Sequence, residues 1–304
     1  THMTVNETKT KSALSEVIQH WLTSCLDSNE PPAKSIDEIQ TDSRTFFRYI
    51  SKSTQVVTDS NIVLQTKSSH EESLAQLIQD LGPAFSQDHH RARLRALHVL
   101  VGALEGCKET QLSNTIVPLL GKFLLGHCGP VNDDDYGEDY DTLIRDASLL
   151  ALSSLVSVSI SSTQTDEELA DAISTRLELA RSAVIRRCAV PDTTSASGNV
   201  YGFRGATSDM RHGLSTLPRS KRAMAFDLLQ KTVTGIAPVY QQMKNPIHQN
   251  ELLLSNLQVS MVEFVKFTAN CLQGESDPRC LLQLLKLIHN TQVALAPWFA
   301  TASA

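Results

Sequence analysis

The most chemically suggestive stretch of the 304-residue chain is the acidic run "NDDDYGEDYD" (132–141), which crowds Asp133, Asp134, Asp135, Glu138, Asp139 and Asp141 together. Clustered carboxylates are the ligands of Ca²⁺ and Mg²⁺. The helix–loop–helix calcium pattern needs glycine at its sixth position and a bidentate glutamate at its twelfth. Counted from Asp133, those positions hold Glu138 and Ile144, so the pattern fails. The run reads as a solvated loop before a helix, its last acids favouring the positive end of the helix dipole. Asp133, Asp134 and Asp135 stand as candidate partner contacts, and a metal-dependent enzyme using the 133–141 acids is the reading from another class.

Two basic stretches invite the opposite question. In "DHHRARLR" (88–95) Arg91 and Arg95 fall four apart, on one helix face, with Arg93 turned away. His89 and His90 are adjacent and leave a helix in different directions, which argues against a shared metal ion. The bland reading is a set of exposed helix residues in salt bridges; a protein or nucleic-acid contact is the alternative. "PRSKRAMAF" (218–226) opens a helix with Lys221 and Arg222. Positive charge there opposes the helix dipole, a reason to suspect that it faces an acidic partner, the plainer reading being an ordinary basic start to a helix.

"GESDPRCLL" (274–282) combines two acids, Gly274, Pro278, Arg279 and Cys280 in nine residues. Gly274 suits a left-handed position after a helix. Asp277 is placed to cap the next helix, and Pro278 fits its first position, where no N–H is needed. Leu281, Leu282, Leu285 and Ile288 then begin an apolar face. The stretch is therefore a joint between helices, and Glu275 and Arg279 are the two residues this geometry leaves unexplained, as inter-repeat salt bridges or partner contacts. Elsewhere there is no GxSxG, HExxH, phosphate-binding loop or GxGxxG. "SGNVYGFRG" (197–205) has glycines but neither a preceding strand nor phosphate-loop spacing. No catalytic residue, cofactor site or metal site is assigned.

These segments need helices to position them. Apolar residues are 41% of the chain, charged residues 20% and aromatics 5%, which suits a sizeable aliphatic helical core. A net charge of −6 argues against broad attraction to nucleic acid or an anionic membrane. Six dispersed cysteines, without zinc-site spacing, read as reduced, buried thiols of an intracellular protein. The run "ASLLALSSLVSVSISST" (147–163) is too short and serine-rich for a membrane span.

Helical periodicity dominates. One face carries Leu253, Leu257, Met261, Phe264, Val265, Thr268 and Leu272; others carry Leu94, Leu97, Leu100, Val101 and Leu104, with Asp88 as cap and Gly106 as close, or Phe226, Leu229, Val233 and Ile236. The 143–158 segment is apolar on several sides and expects neighbours on several sides. Helices are predicted over 12–27, 35–52, 71–86, 89–105, 111–126, 141–160, 166–188, 220–236, 248–273 and 278–290. "TQVVTDSNIVLQT" (54–66) is the best strand candidate and reads as irregular or a short helix. Long loops are expected near 127–141 and 190–213. The pattern predicts an all-α, HEAT/armadillo-like helical-repeat solenoid over residues 4–304, of about six or seven repeats at roughly 40–47 residues each. Residues 1–3 read as an expression-tag remnant. The apolar Trp298–Phe299 pair near the end reads as wanting a packing neighbour, so the chain is expected to be the N-terminal fragment of a longer protein. Such an architecture offers extended surfaces rather than a deep pocket.

"FVKFTANCLQGESDPRCLLQLLKLIHN" (264–290) resembles the N-terminal region of the MMS-nineteen family, named for methyl-methanesulfonate sensitivity. In that family a helix ends in a Gly-Glu-x-Asp-Pro-Arg-x-Leu-Leu turn, here Gly274, Glu275, Asp277, Pro278, Arg279, Leu281 and Leu282. "LAQLIQDLGPAFSQDHHRARLRALHVLVGAL" (74–104) is similar to the family's first hairpin, and "VPLLGKFLLGHC" (117–128) with "IRDASLLALSSLVSV" (144–158) to its next pair. The likeness runs over roughly residues 70–290.

The resemblance implies a non-catalytic adaptor of cytosolic iron–sulfur protein assembly, cytoplasmic and nuclear, that recognises DNA replication and repair enzymes for cluster insertion. Its partners would be those client enzymes and the other members of the targeting complex, the latter held by C-terminal repeats. Neither direct nucleic-acid binding nor membrane association is expected. Another transport or chromatin-linked HEAT scaffold is the alternative. Candidate partner contacts are Arg91, Arg95, Asp133, Asp134, Asp135, Lys221, Arg222, Glu275 and Arg279.

Overall fold

The computed structural model describes residues 34–55, 63–86, 90–108, 112, 115–128, 138–160, 165–188, 214, 218–242, 251–272 and 275–301. The helix predicted over 12–27, the 190–213 loop, the Asp88 cap and the Gly274 position lie outside them. Among the described residues all regular structure is α-helical: α1 (Ile36–Gln55), α2 (Val63–Ser86), α3 (His90–Gly106), α4 (Ile116–Cys128), α5 (Glu138–Val156), α6 (Asp166–Cys188), α7 (Arg219–Gln242), α8 (Glu251–Leu272) and α9 (Pro278–Thr301). No described helix is long and apolar enough to cross a membrane. Of the 54–66 segment, residues 54–55 end α1 and residues 63–66 open α2, while 56–62 lie outside the described residues.

Two helices start on reciprocal capping boxes, in which a hydroxyl and a glutamate three residues later satisfy each other's backbone N–H groups. Ahead of α1 the Ser35 N–H donates to Glu38 Oε2 at 2.7 Å, and the Glu38 N–H donates to Ser35 Oγ at 3.3 Å. Ahead of α6 the Thr165 N–H donates to Glu168 Oε2 at 2.9 Å, and the Glu168 N–H to Thr165 Oγ1 at 3.3 Å. The backbone and hydroxyl bonds from Ser35 hold the Glu38 carboxyl below its usual range.

The chain forms two compact units, Thr1–Leu112 and Ser113–Ala304. In the first, α3 packs against α1 and α2 and is buried on almost every side, its predicted leucine–valine stripe included. Its contact with α1 is backbone-close because Gly102 and Gly106 sit one turn apart on that face. A methyl group on Gly106 would lie 2.6 Å from Phe47 Cβ and 2.8 Å from the Arg44 carbonyl oxygen, and one on Gly102 would lie 2.9 Å from Ser43 Cβ. Gly106 thus serves as a packing residue as well as the end of the helix. The closeness lets Ser43 Oγ donate to the Val99 carbonyl at 2.7 Å, and Arg44 pairs with Glu105 at the edge of the interface.

Among the described residues the second unit holds three helical hairpins, α4–α5, α6–α7 and α8–α9, side by side in two layers. The first helices of the hairpins adjoin one another in the order α4, α6, α8, and the second helices in the order α5, α7, α9. This is the helical-repeat class the periodicity predicts. Phe226, Leu229, Val233 and Ile236 of α7 are buried, as are Leu257, Met261, Phe264 and Thr268 of α8. α5 packs on α4, α6 and α7, and Ala147, Leu149, Leu152 and Val156 are covered, although Leu143 is exposed. Cys107, Cys128, Cys271 and Cys280 are buried and not in disulfides.

α6 carries Arg176, a fully buried arginine. Its Nη1 donates to the Ala172 carbonyl at 3.1 Å and its Nη2 to the Val158 carbonyl at 3.4 Å, just past the C-terminus of α5. A cation at a helix C-terminus complements the negative end of the dipole. Burial nevertheless pushes its pKa down to about 10.

Candidate interaction surface

The basic start of α7 and the acidic turn before α9 meet. Arg222 makes a fork against Glu275, Nε to Oε2 at 2.7 Å and Nη2 to Oε1 at 3.0 Å. The Arg222 side chain is 12% exposed and that of Glu275 2%, so this is an ion pair of the interior. Glu275 Oε1 also accepts the N–H groups of Ser276 and Asp277, at 3.0 and 2.9 Å, so one carboxylate both shapes its own turn and holds α7. The hydrogen bond from Arg222 to Glu275 raises the guanidinium's pKa despite burial.

The next residues complete the joint. Asp277 Oδ1 accepts the Arg279 N–H at 2.9 Å and the Cys280 N–H at 3.3 Å, the cap its position predicts. Its other oxygen lies 3.7 Å from Nε of Arg219, the first residue of α7. Partial burial pushes the Asp277 carboxyl up, but those two backbone bonds and the charges of Arg219 and Arg222 outweigh it and leave it below its usual range. Cys280 is buried beneath, its thiol against the Arg219 carbonyl; burial first, and Glu275 second, push that thiol up. On the neighbouring side Lys221 pairs with Asp146 of α5, and burial lowers its pKa. The acids that face the basic start at 218–226 belong to this chain and not to an acidic partner: Asp146, Glu275 and Asp277.

Of the predicted contact residues, Lys221, Arg222 and Glu275 are joined in this clasp and engaged within the fold. Arg95 is also turned inward: it is buried on α3 and its Nη2 donates to the Lys34 carbonyl, so it shares no exposed face with Arg91, which is exposed. Arg279 is exposed and forms no ion pair with a described residue. Asp133, Asp134 and Asp135 lie outside the described residues. Among the described residues no three His, Cys, Asp or Glu side chains gather in a metal-binding group.

The apolar face predicted to start α9 is rotated. Cys280, Leu284, Leu287 and Thr291 are the buried positions, while Leu282 and Leu285 are exposed at 54% and 58%. Periodicity alone marks every leucine of "CLLQLLKLI" as a core candidate, and only the seating of α9 on α7 and α8 selects among them. Among the described residues, Leu119 and Phe123 of α4 and Val259 of α8 are the other large exposed apolar side chains besides Leu143.

A family model of the MMS19 N-terminal region, described as a Dos2-interacting transcription regulator of RNA-Pol-II, matches residues 78–297, well over half of the chain. The chain belongs to this family. The match spans both compact units and includes the clasp and all of the turn at 274–282. No curated protein and no solved structure matches the chain significantly.

Proposed function

We propose that the chain is a non-catalytic scaffold of cytosolic iron–sulfur protein assembly, in the cytoplasm and nucleus, recognising apo-enzymes of DNA replication and repair for cluster insertion. The observation that carries this reading is the family match over residues 78–297, which takes in the sequence that locks one helical hairpin to the next. A two-layer helical array supports it as well, because such arrays present extended surfaces suited to docking other proteins. In this role the chain contributes shape and surface, and the iron–sulfur cluster is cargo handled by its partners.

Affinity purification of the full-length protein, with identification of what accompanies it, tests the proposal. Iron–sulfur enzymes and cluster-targeting proteins are expected. Recovery of neither overturns it. The family's description supports a second reading, a scaffold acting on the RNA polymerase II machinery. Recovery of polymerase subunits or their regulators, without iron–sulfur proteins, selects that one.

A further inference from the structure

The outer face of α9 has a chemistry that the fold does not use. Leu282 and Leu285 are exposed one turn apart. Arg279 precedes them by one turn, Lys286 and His289 follow, and all three are exposed. The helix "PRCLLQLLKLIHNTQVALAPWFAT" contains no acidic residue, in a chain whose net charge is −6. Arg279 and Lys286 form no ion pair with a described residue, whereas Arg219, Lys221 and Arg222 on the neighbouring α7 all pair with carboxylates. Arg279 also sits in the first turn of its helix, where positive charge opposes the dipole, so helix stability does not account for it.

We infer that this face of α9 docks an acidic, leucine-bearing helix of a protein partner. Two leucines at i, i+3 offer the apolar seam that a helix-on-helix contact needs. Arg279 and Lys286 are seven residues apart, about 10 Å along the axis, and bracket that seam. A partner helix carrying acids two turns apart, with apolar residues between them, meets both features at once. Two cations around a leucine pair suit a protein helix better than nucleic acid or an anionic membrane, which need a denser basic surface. The inference goes beyond the iron–sulfur proposal and does not rest on it, since it names a surface and a chemistry that any partner of the scaffold can supply.

The test selects displayed helical peptides with randomised surfaces against the full-length chain, then measures the enriched peptides by fluorescence anisotropy at low and high salt. Enriched peptides are expected to carry a leucine pair flanked by Asp or Glu. L282E/L285E is expected to abolish binding, and R279E/K286E to weaken it about tenfold while gaining affinity for a peptide whose acids are changed to lysine. The four side chains are exposed, and unchanged helical circular dichroism and melting confirm that each variant is folded. Enrichment without an acidic bias, binding indifferent to both double variants, or no enrichment overturns the inference. So does sedimentation showing a dimer that L282E/L285E abolishes, which makes the face a self-interface. Protection of Leu282 and Leu285 from hydroxyl radicals in the isolated full-length chain does so too, since the chain then covers the face itself.

Discussion

Arg222 and Glu275 lie 53 residues apart in sequence and form a two-bond fork between the start of α7 and the turn before α9, the Glu275 side chain 2% exposed. The same carboxylate accepts two backbone N–H groups of its own turn. Removing it therefore strands a buried guanidinium and unties the turn together. Glu275→Ala should cost about 3 kcal/mol in denaturant unfolding, with Arg222→Met similar. In the double variant the losses should overlap, giving a coupling of about 1–3 kcal/mol. Additive losses would show that the two side chains do not interact.

Gly102 supports a prediction whose sign is informative. On helix propensity alone, Gly102→Ala should stabilise α3 by about 1 kcal/mol. The methyl group, however, would lie within 2.9 Å of Ser43 Cβ and closer still to the Gln40 carbonyl. A net loss of about 1–3 kcal/mol is expected from overpacking, and a gain in melting temperature would contradict the close approach of α1 and α3.

The helices and most of the core were legible because apolar spacing is a local signal. The apolar spacing predicts α6 end to end at 166–188, and the capping boxes at Ser35 and Thr165 account for two helix starts that it places to within a residue. Two ends differ: α7 runs through Pro238 to Gln242, past the predicted 236, and α9 extends to Thr301, past the predicted 290. The candidate contact residues were legible as charged groups but not as partners of one another. Asp146, Lys221, Arg222 and Glu275 pair across 53 to 75 residues of sequence, through the stacking of α5, α7 and α9, and no local pattern encodes which acid answers which base. For the same reason Leu282 and Leu285 read as core, and only tertiary packing turns them outward.

Arg176 tests the balance between burying a charge and bonding it. Its folded-state pKa, about 10, lies below the ordinary arginine value, so the charged form is disfavoured by folding. That cost is present at neutral pH and fades as pH rises through about 10. Arg176→Met keeps the aliphatic stem and removes the charge. It should leave stability unchanged or raise it by about 1 kcal/mol at pH 7. A loss of more than about 2 kcal/mol would show that the Ala172 and Val158 carbonyl contacts outweigh desolvation.

Cys280 reports on the clasp. Its thiol is buried and pushed up in pKa, first by burial and then by Glu275, so thiolate-seeking reagents should modify it far more slowly than a free cysteine in native protein at neutral pH. Glu275→Ala should speed modification of Cys280, identified by peptide mapping, without speeding that of the buried Cys107. Equal acceleration at both sites would signal general unfolding instead.

The most direct measurement on the role of the 274–282 turn pairs melting with partner recovery for Asp277→Ala. Asp277 caps α9 and faces Arg219, and its depressed carboxyl pKa means that its contribution is present above the carboxylate range and lost as pH falls through it. The variant should melt at a lower temperature than the wild type at pH 7. That difference should shrink on acidification, while partner recovery per folded molecule stays the same. Unchanged melting with a selective loss of partners would contradict the account and make the turn a contact site rather than a joint.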